Sequence, residues 1–151
     1  MKKGEKSPEY LGKDENGNEL RISDYKGRKV IIYFYPKDST PGCTAEACSL
    51  RDGMEELRER GFEVIGVSKD SAKSHLNFIA KHDLNFHLIA DTELTLIKQF
   101  GAWGEKKMYG KTTEGVLRST FVIDENGIVE HVIAKVDTKN AAQQILKLIE
   151  G

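Results

Sequence analysis

The stretch Val30-Ile31-Ile32-Tyr33-Phe34-Tyr35-Pro36-Lys37-Asp38-Ser39-Thr40-Pro41-Gly42-Cys43-Thr44-Ala45-Glu46-Ala47-Cys48 decides the fold class and carries both cysteines of the chain. Val30 to Tyr35 is a continuous apolar run, as a central strand buried on both faces requires. Pro36 ends that strand, because proline has no N–H to give to a ladder. Thr40, Pro41, Gly42 and Cys43 then fit the helix positions N-cap, N1, N2 and N3. A strand that turns straight into a helix is the opening unit of an α/β sheet.

Outward from this unit, strand and helix patterns alternate. Thr44 to Arg60 carries Ala47, Leu50, Met54 and Leu57 at helical spacing, and Gly61 fits the stop. Phe62 to Ser68 reads as a second buried strand. Asp70 or Ser71 can cap a helix whose apolar residues are Leu76, Ile79 and Ala80. Phe86 to Ala90 is a short strand, and Asp91 or Thr92 caps a helix that runs through Phe100 and stops at Gly101. Ala141, Ile145, Leu148 and Ile149 mark a last amphipathic helix behind a Thr138 cap. The tetrapeptide Asp-Glu-Asn-Gly occurs at 14–17 and at 124–127, each time between strand-like residues. Asn-Gly signals a hairpin with positive φ at both turn residues. The second hairpin joins Val116–Asp124 to Ile128–Val136. Trp103 to Thr113 has no clear period and is expected to be an ordered loop. Parallel crossovers followed by a hairpin predict an α/β chain with a mixed central sheet, helices on both faces and an N-terminal hairpin.

The 151 residues suit one domain spanning 1–151. Hydrophobic residues make up 38% and charged residues 31%, the balance of a soluble globular chain. A net charge of -1 gives no long-range attraction to nucleic acid or to anionic membranes. No apolar run approaches the roughly 20 residues of a membrane span, and the start lacks the apolar core of a signal peptide. A cytoplasmic address follows as the expectation. In that compartment a cysteine pair is more often catalytic, redox-active or metal-binding than structural.

Cys43 is the candidate reactive thiol. A free thiol has a pKa of about 8.5 and is only a few per cent ionised near neutrality. The first turn of a helix favours a thiolate through the dipole and its unpaired N–H groups. The Thr40 hydroxyl can accept from the Cys43 N–H, or donate to the sulfur or to a bound oxygen. Pro36 can shield the thiolate from water, and Gly42 lets a substrate approach the backbone. The plainer alternative is a capped helix with a small buried cysteine.

Residues i and i+5 of a helix lie roughly 8 to 9 Å apart at Cα, whereas a disulfide needs about 4.4 to 6.8 Å. Cys43 and Cys48 can therefore bond only if the start of the helix unwinds. Helix ends fray, which makes such an opening cheap. The spacing disfavours a thioredoxin motif, which uses Cys-x-x-Cys, and structural zinc, which needs four ligands. His75, His82, His87 and His131 show no ligand spacing with the cysteines and are expected at the surface or in caps. Arg118 stands in an apolar run, Val116 to Asp124, where an unpaired arginine is costly. Its fork either reaches a thiolate and a polar substrate or snorkels from an edge strand. Glu46, with Arg51 and Asp52, can form an ion network around Cys43, although a solvated helix face suits Arg51 and Asp52 better.

These residues resemble a known family. Pro36, Thr40 and Cys43 match the Pro-x-x-x-Thr-x-x-Cys signature of the peroxiredoxins. Tyr35 to Cys48, Trp103 to Lys107 and Arg118 to Phe121 are similar to the bacterioferritin comigratory protein / peroxiredoxin Q group. The resemblance covers essentially the whole chain. It implies a thioredoxin-like fold and reduction of hydrogen peroxide and organic hydroperoxides without metal, haem or flavin. It implies Cys43 as the peroxidatic cysteine, Cys48 as the resolving one, and Arg118 as the residue that stabilises the thiolate and polarises the peroxide. It further implies recycling by thioredoxin or a similar dithiol reductant, and a monomeric chain as in many members. A thioredoxin-type disulfide oxidoreductase and a non-enzymatic thiol sensor are the alternatives, and repeated turnover of peroxide separates them from an enzyme of this kind.

Overall fold

The computed structural model describes residues 1–150. In chain order the elements are β1 (Tyr10–Lys13), β2 (Glu19–Arg21), β3 (Lys29–Phe34), α1 (Pro41–Glu59), β4 (Phe62–Ser68), α2 (Ala72–His82), β5 (His87–Ala90), α3 (Thr95–Gln99), β6 (Trp103–Met108), β7 (Lys111–Val116), β8 (Ser119–Ile123), β9 (Val129–Ile133) and α4 (Ala141–Glu150). The central sheet has the order β5-β4-β3-β8-β9. β3, β4 and β5 are parallel, while β8 and β9 complete the sheet antiparallel to their neighbours. β3 therefore has a strand on each side and core on both faces. Alternation sends Ile31, Tyr33 and Tyr35 into one core and Val30, Ile32 and Phe34 into the other. α1, α2 and α4 cover the first face; α3 and the β1–β2 hairpin cover the second. The expected mixed sheet with helices on both faces is thus present.

Five local expectations change; in one, α3 starts at Thr95 with Leu94, not Asp91 or Thr92, at its N-cap. Trp103 to Thr113 is not a loop: it belongs to a further hairpin, β6–β7, paired from Trp103–Val116 to Met108–Lys111. Most of β7 is exposed, so too little of the ribbon is buried to impose an apolar period. The Asp-Glu-Asn-Gly turns do not use positive φ at asparagine. In each, the glycine alone lies at φ 80°. The leading Asp carbonyl accepts the glycine N–H (3.1 Å at 14–17, 3.0 Å at 124–127), as in a type I turn followed by a left-handed residue. In α2, Ser71 does cap the helix by accepting from the Ser74 N–H, but the buried residues are His75 and Phe78, while Leu76 is exposed. Asp137, not Thr138, stands at the N-cap of the short turn Thr138–Asn140 that leads into α4.

α1 is held along most of its length. Ala47, Leu50, Met54 and Leu57 are fully buried. A Cβ on Gly53 would stand 2.4 Å from that of Ala142, so only glycine permits this approach of α1 to α4. Ser49 Oγ accepts the Ala142 N–H at 3.2 Å.

Candidate active site

The turn from β3 into α1 places Cys43 in the first helical turn, 2% exposed. Thr40 has the extended backbone of an N-cap and Pro41 follows at N1. The Thr40 side chain, however, caps nothing. Its hydroxyl donates to the Lys37 carbonyl at 2.8 Å, closing the loop on itself. Neither the Cys43 N–H nor the sulfur has Thr40 as a hydrogen-bond partner among the described residues.

Arg118 occupies the break between β7 and β8, not the interior of a strand. That break turns its side chain across the sheet end toward α1. Nη2 donates to Cys43 Sγ at 3.2 Å and Nη1 to Glu46 Oε1 at 2.6 Å. The pairing resolves the choice left open by the sequence: this arginine does not snorkel. A Cβ on Gly42 would lie 3.4 Å from Nη2, in ordinary contact, so the guanidinium lies directly over the first turn of the helix. Burial opposes the Arg118 charge, but Glu46 and Cys43 outweigh it and hold the guanidinium protonated.

Glu46, three residues after Cys43, is fully buried. Burial pushes its carboxyl up to about 7, against the pull of Arg118. Its second oxygen has no hydrogen-bond partner among the described residues, and nor has the Tyr33 hydroxyl. Arg118 is thus shared between a carboxyl and a sulfur, a geometry that can stabilise a thiolate and grip a polar oxygen beside it. Arg51 and Asp52 pair with each other at 2.9 Å, and Arg51 also reaches the His82 carbonyl at 2.7 Å. They take no part in the Cys43 contacts.

Pro36 and Arg118 border a cavity of about 710 Å³ whose walls include Phe100, Lys106, Leu117 and Phe121 and no acidic side chain. Burial, and then the Arg118 charge, lower the Lys106 ammonium. Lys106 lies on the β6–β7 ribbon that the sequence pattern concealed. Cys48 is half-buried one and a half turns on, and both cysteines are free thiols.

The chain as a whole has counterparts among known proteins. The AhpC/TSA family model matches residues 3–132. The chain is a peroxiredoxin of that family. Peroxiredoxin Bcp of Escherichia coli K12 is 40% identical over 150 residues, covering 99% of this chain and 96% of that protein. A putative peroxiredoxin of Mycobacterium tuberculosis is 43% identical over 145 residues, covering 96% and 90%. Among solved structures, the Xanthomonas campestris bacterioferritin comigratory protein has a TM-score of 0.85 at 37% identity, covering 91% of this chain and 88% of that one. A cysteine-to-serine variant of Xylella fastidiosa PrxQ has a TM-score of 0.91 at 30% identity, covering 99% and 96%. The sheet order of this peroxiredoxin is accordingly thioredoxin-like. Its class of reaction is thiol-dependent reduction of peroxides.

The sequence pattern missed Asp38 and His75. Both are buried, Asp38 in the β3–α1 loop and His75 in α2, and they are bonded to each other at 2.7 Å. A histidine three residues before the core residue Phe78, on one helix face, was the available signal. Glu15 and His87 pair at 2.8 Å on the far side of β5, joining the first hairpin to the sheet.

Proposed function

We propose that this peroxiredoxin reduces hydrogen peroxide and organic hydroperoxides with Cys43 as attacking thiol and Cys48 as resolving thiol. The observation that carries the reading is the Arg118 guanidinium, 3.2 Å from Cys43 Sγ at the start of α1. The thiolate attacks one peroxide oxygen and the O–O bond breaks. The other oxygen leaves as water or an alcohol after taking a proton, and Cys43 becomes a sulfenic acid. Arg118 offers its donors to the oxygen on which charge develops. Thr40 and Pro36 shape the loop over the sulfur. The cavity beside Arg118 has apolar walls suited to the organic part of a hydroperoxide.

Cys48 thiolate then attacks the Cys43 sulfur, the S–O bond breaks and water leaves. Both residues lie in α1, so the helix must first unwind to about Cys48. The structure makes this costlier than helix fraying alone, because Cys43, Glu46 and Ala47 are all buried. Gly53 and Ser49 on α4 mark where the opening stops. A dithiol, thioredoxin or one like it, returns the disulfide to two thiols. Because both cysteines come from one helix, a monomer suffices. Among the described residues no helix is long and apolar enough to cross a membrane, in keeping with a cytoplasmic setting.

Mass spectrometry after one equivalent of peroxide tests the cycle. Wild type should lose two hydrogens and gain a Cys43–Cys48 disulfide. Cys48→Ser should gain one oxygen on Cys43, at an unchanged rate, and fail to recycle with thioredoxin. Normal recycling by that variant would remove Cys48 from the cycle.

A further inference from the structure

The loop that delivers Cys43 is fastened from below by a buried polar cluster. Asp38 is 5% exposed and its carboxylate accepts three donors: Tyr35 Oη at 2.5 Å on Oδ1, and Ser74 Oγ at 2.8 Å and His75 Nδ1 at 2.7 Å on Oδ2. The Asp38 N–H donates to Asp70 Oδ2 at 2.9 Å, and Asp70 Oδ2 in turn accepts from Ser68 Oγ at 2.7 Å. His75 is fully buried, and its other nitrogen faces the Ile89 carbonyl at 3.0 Å. Both ring nitrogens thus face acceptors. One loop residue is in this way bound to α2 directly, to the end of β4 through Asp70, and to β5 through His75.

The next residue shows why such fastening is needed. Ser39 sits at φ 65°, in the left-handed region that side chains other than glycine rarely adopt. A non-glycine residue there costs on the order of 1 kcal/mol and persists only where its surroundings impose it. Two residues later α1 begins, and its first turn carries Cys43 to Arg118. The proposed peroxidase cycle uses none of Asp38, Ser74 or His75.

We infer that His75 and Asp38 are positioning residues for Cys43: their buried pair holds loop 36–40 so that the thiol stands against Arg118, and its loss favours the opened start of α1. The inference rests on Cys43 being the attacking thiol. Removing either partner of a buried pair strands the other. The loop is then free to relax Ser39, and the first turn of α1 loses its fixed origin.

The test uses the full chain in a Cys48→Ser background, where Cys43 oxidation is read without a disulfide. Asp38→Asn, His75→Leu and the double variant are compared with Ile145→Val, which destabilises the core at α4, away from the loop. The two readouts are the rate of Cys43 oxidation by peroxide and hydrogen exchange of the amides in residues 36–44. Each single variant should slow oxidation about tenfold and expose those amides. The double variant should match the worse single, because all three break one pair. Ile145→Val should leave the rate within about twofold despite its own loss of melting temperature. Unchanged exchange at 36–44, or a slowing no greater than that of Ile145→Val, would overturn the inference. Exchange reads the loop whatever the substrate. Exposed amides beside a wild-type thiol inert to peroxide would therefore refute the peroxidase cycle and uphold the anchor.

Discussion

Cys43 and Cys48 are the same residue type in the same helix, yet their surroundings have little in common. Cys43 is 2% exposed, in the first turn, with Arg118 donating to its sulfur. Cys48 is half-buried, inside the helix, beside the Ser49 that caps α4. Helix position accounts for part of this, since only the first turn has unpaired N–H groups. The larger part is Arg118, brought from 75 residues away by the break between β7 and β8. On the proposed cycle the attacking thiol needs a cation and a fixed position, and the resolving thiol needs only to become reachable.

The comparison can be broken most decisively at Cys43. Cys43→Ser is expected to bring peroxide consumption down to the uncatalysed rate in a coupled assay. Sustained turnover would mean that the asymmetry between the two thiols has no catalytic meaning. Arg118→Lys should follow, slowing Cys43 oxidation about 100-fold in single-turnover stopped flow, because an ammonium cannot bridge Glu46 and the sulfur as the fork does. The same change should leave the Cys48 alkylation rate unaltered.

The opening of α1 sharpens the comparison in a third way. Oxidation to the disulfide should remove roughly two turns of α1 from the far-ultraviolet circular dichroism signal, and reduction should restore them. An unchanged spectrum, with the disulfide verified by mass, would contradict the geometric argument.

Glu46 supplies a pH signature. Its carboxyl is raised by burial to about 7 in the folded chain, above the ordinary 4.5. The folded state therefore binds this proton more tightly than the unfolded state does. The contribution to stability is complete below about 4.5 and is lost as pH rises through about 7, a loss on the order of 3 kcal/mol. Glu46→Gln lacks the titration, so its stability relative to wild type should improve between pH 5 and pH 7.5 in urea denaturation. A constant difference would show that Arg118 keeps Glu46 ionised throughout.

How far local sequence reaches is shown by the two Asp-Glu-Asn-Gly turns. Their backbones agree closely. Asp14 Oδ1 accepts the N–H groups of Asn16 and Asn18 at 2.8 and 3.0 Å, and Asp124 Oδ1 those of Asn126 and Ile128 at 2.9 and 3.0 Å. Their glutamates diverge: Glu15 is 7% exposed and bonded to His87 and the Leu88 N–H, whereas Glu125 faces solvent. Turn chemistry is local and repeats wherever the residues do. The fate of a side chain depends on what the rest of the chain brings to it. The β6–β7 ribbon illustrates the same limit, since an exposed hairpin has no apolar period to read.

From its sequence alone this chain could be assigned a central β3, a long helix after it, and a thiol at their junction. Those follow from an apolar run, a proline before a glycine, and a 3.6-residue period, all of them short-range. The motif from Pro36 to Cys43 pointed to the family for the same reason. Only the tertiary structure decided that Arg118 touches the sulfur and that Thr40 turns away from it. It also decided that Glu46 shares the guanidinium and that His75 is buried against Asp38. Each of these is a contact between distant segments, fixed by sheet order and by a break in a strand that no local pattern marks.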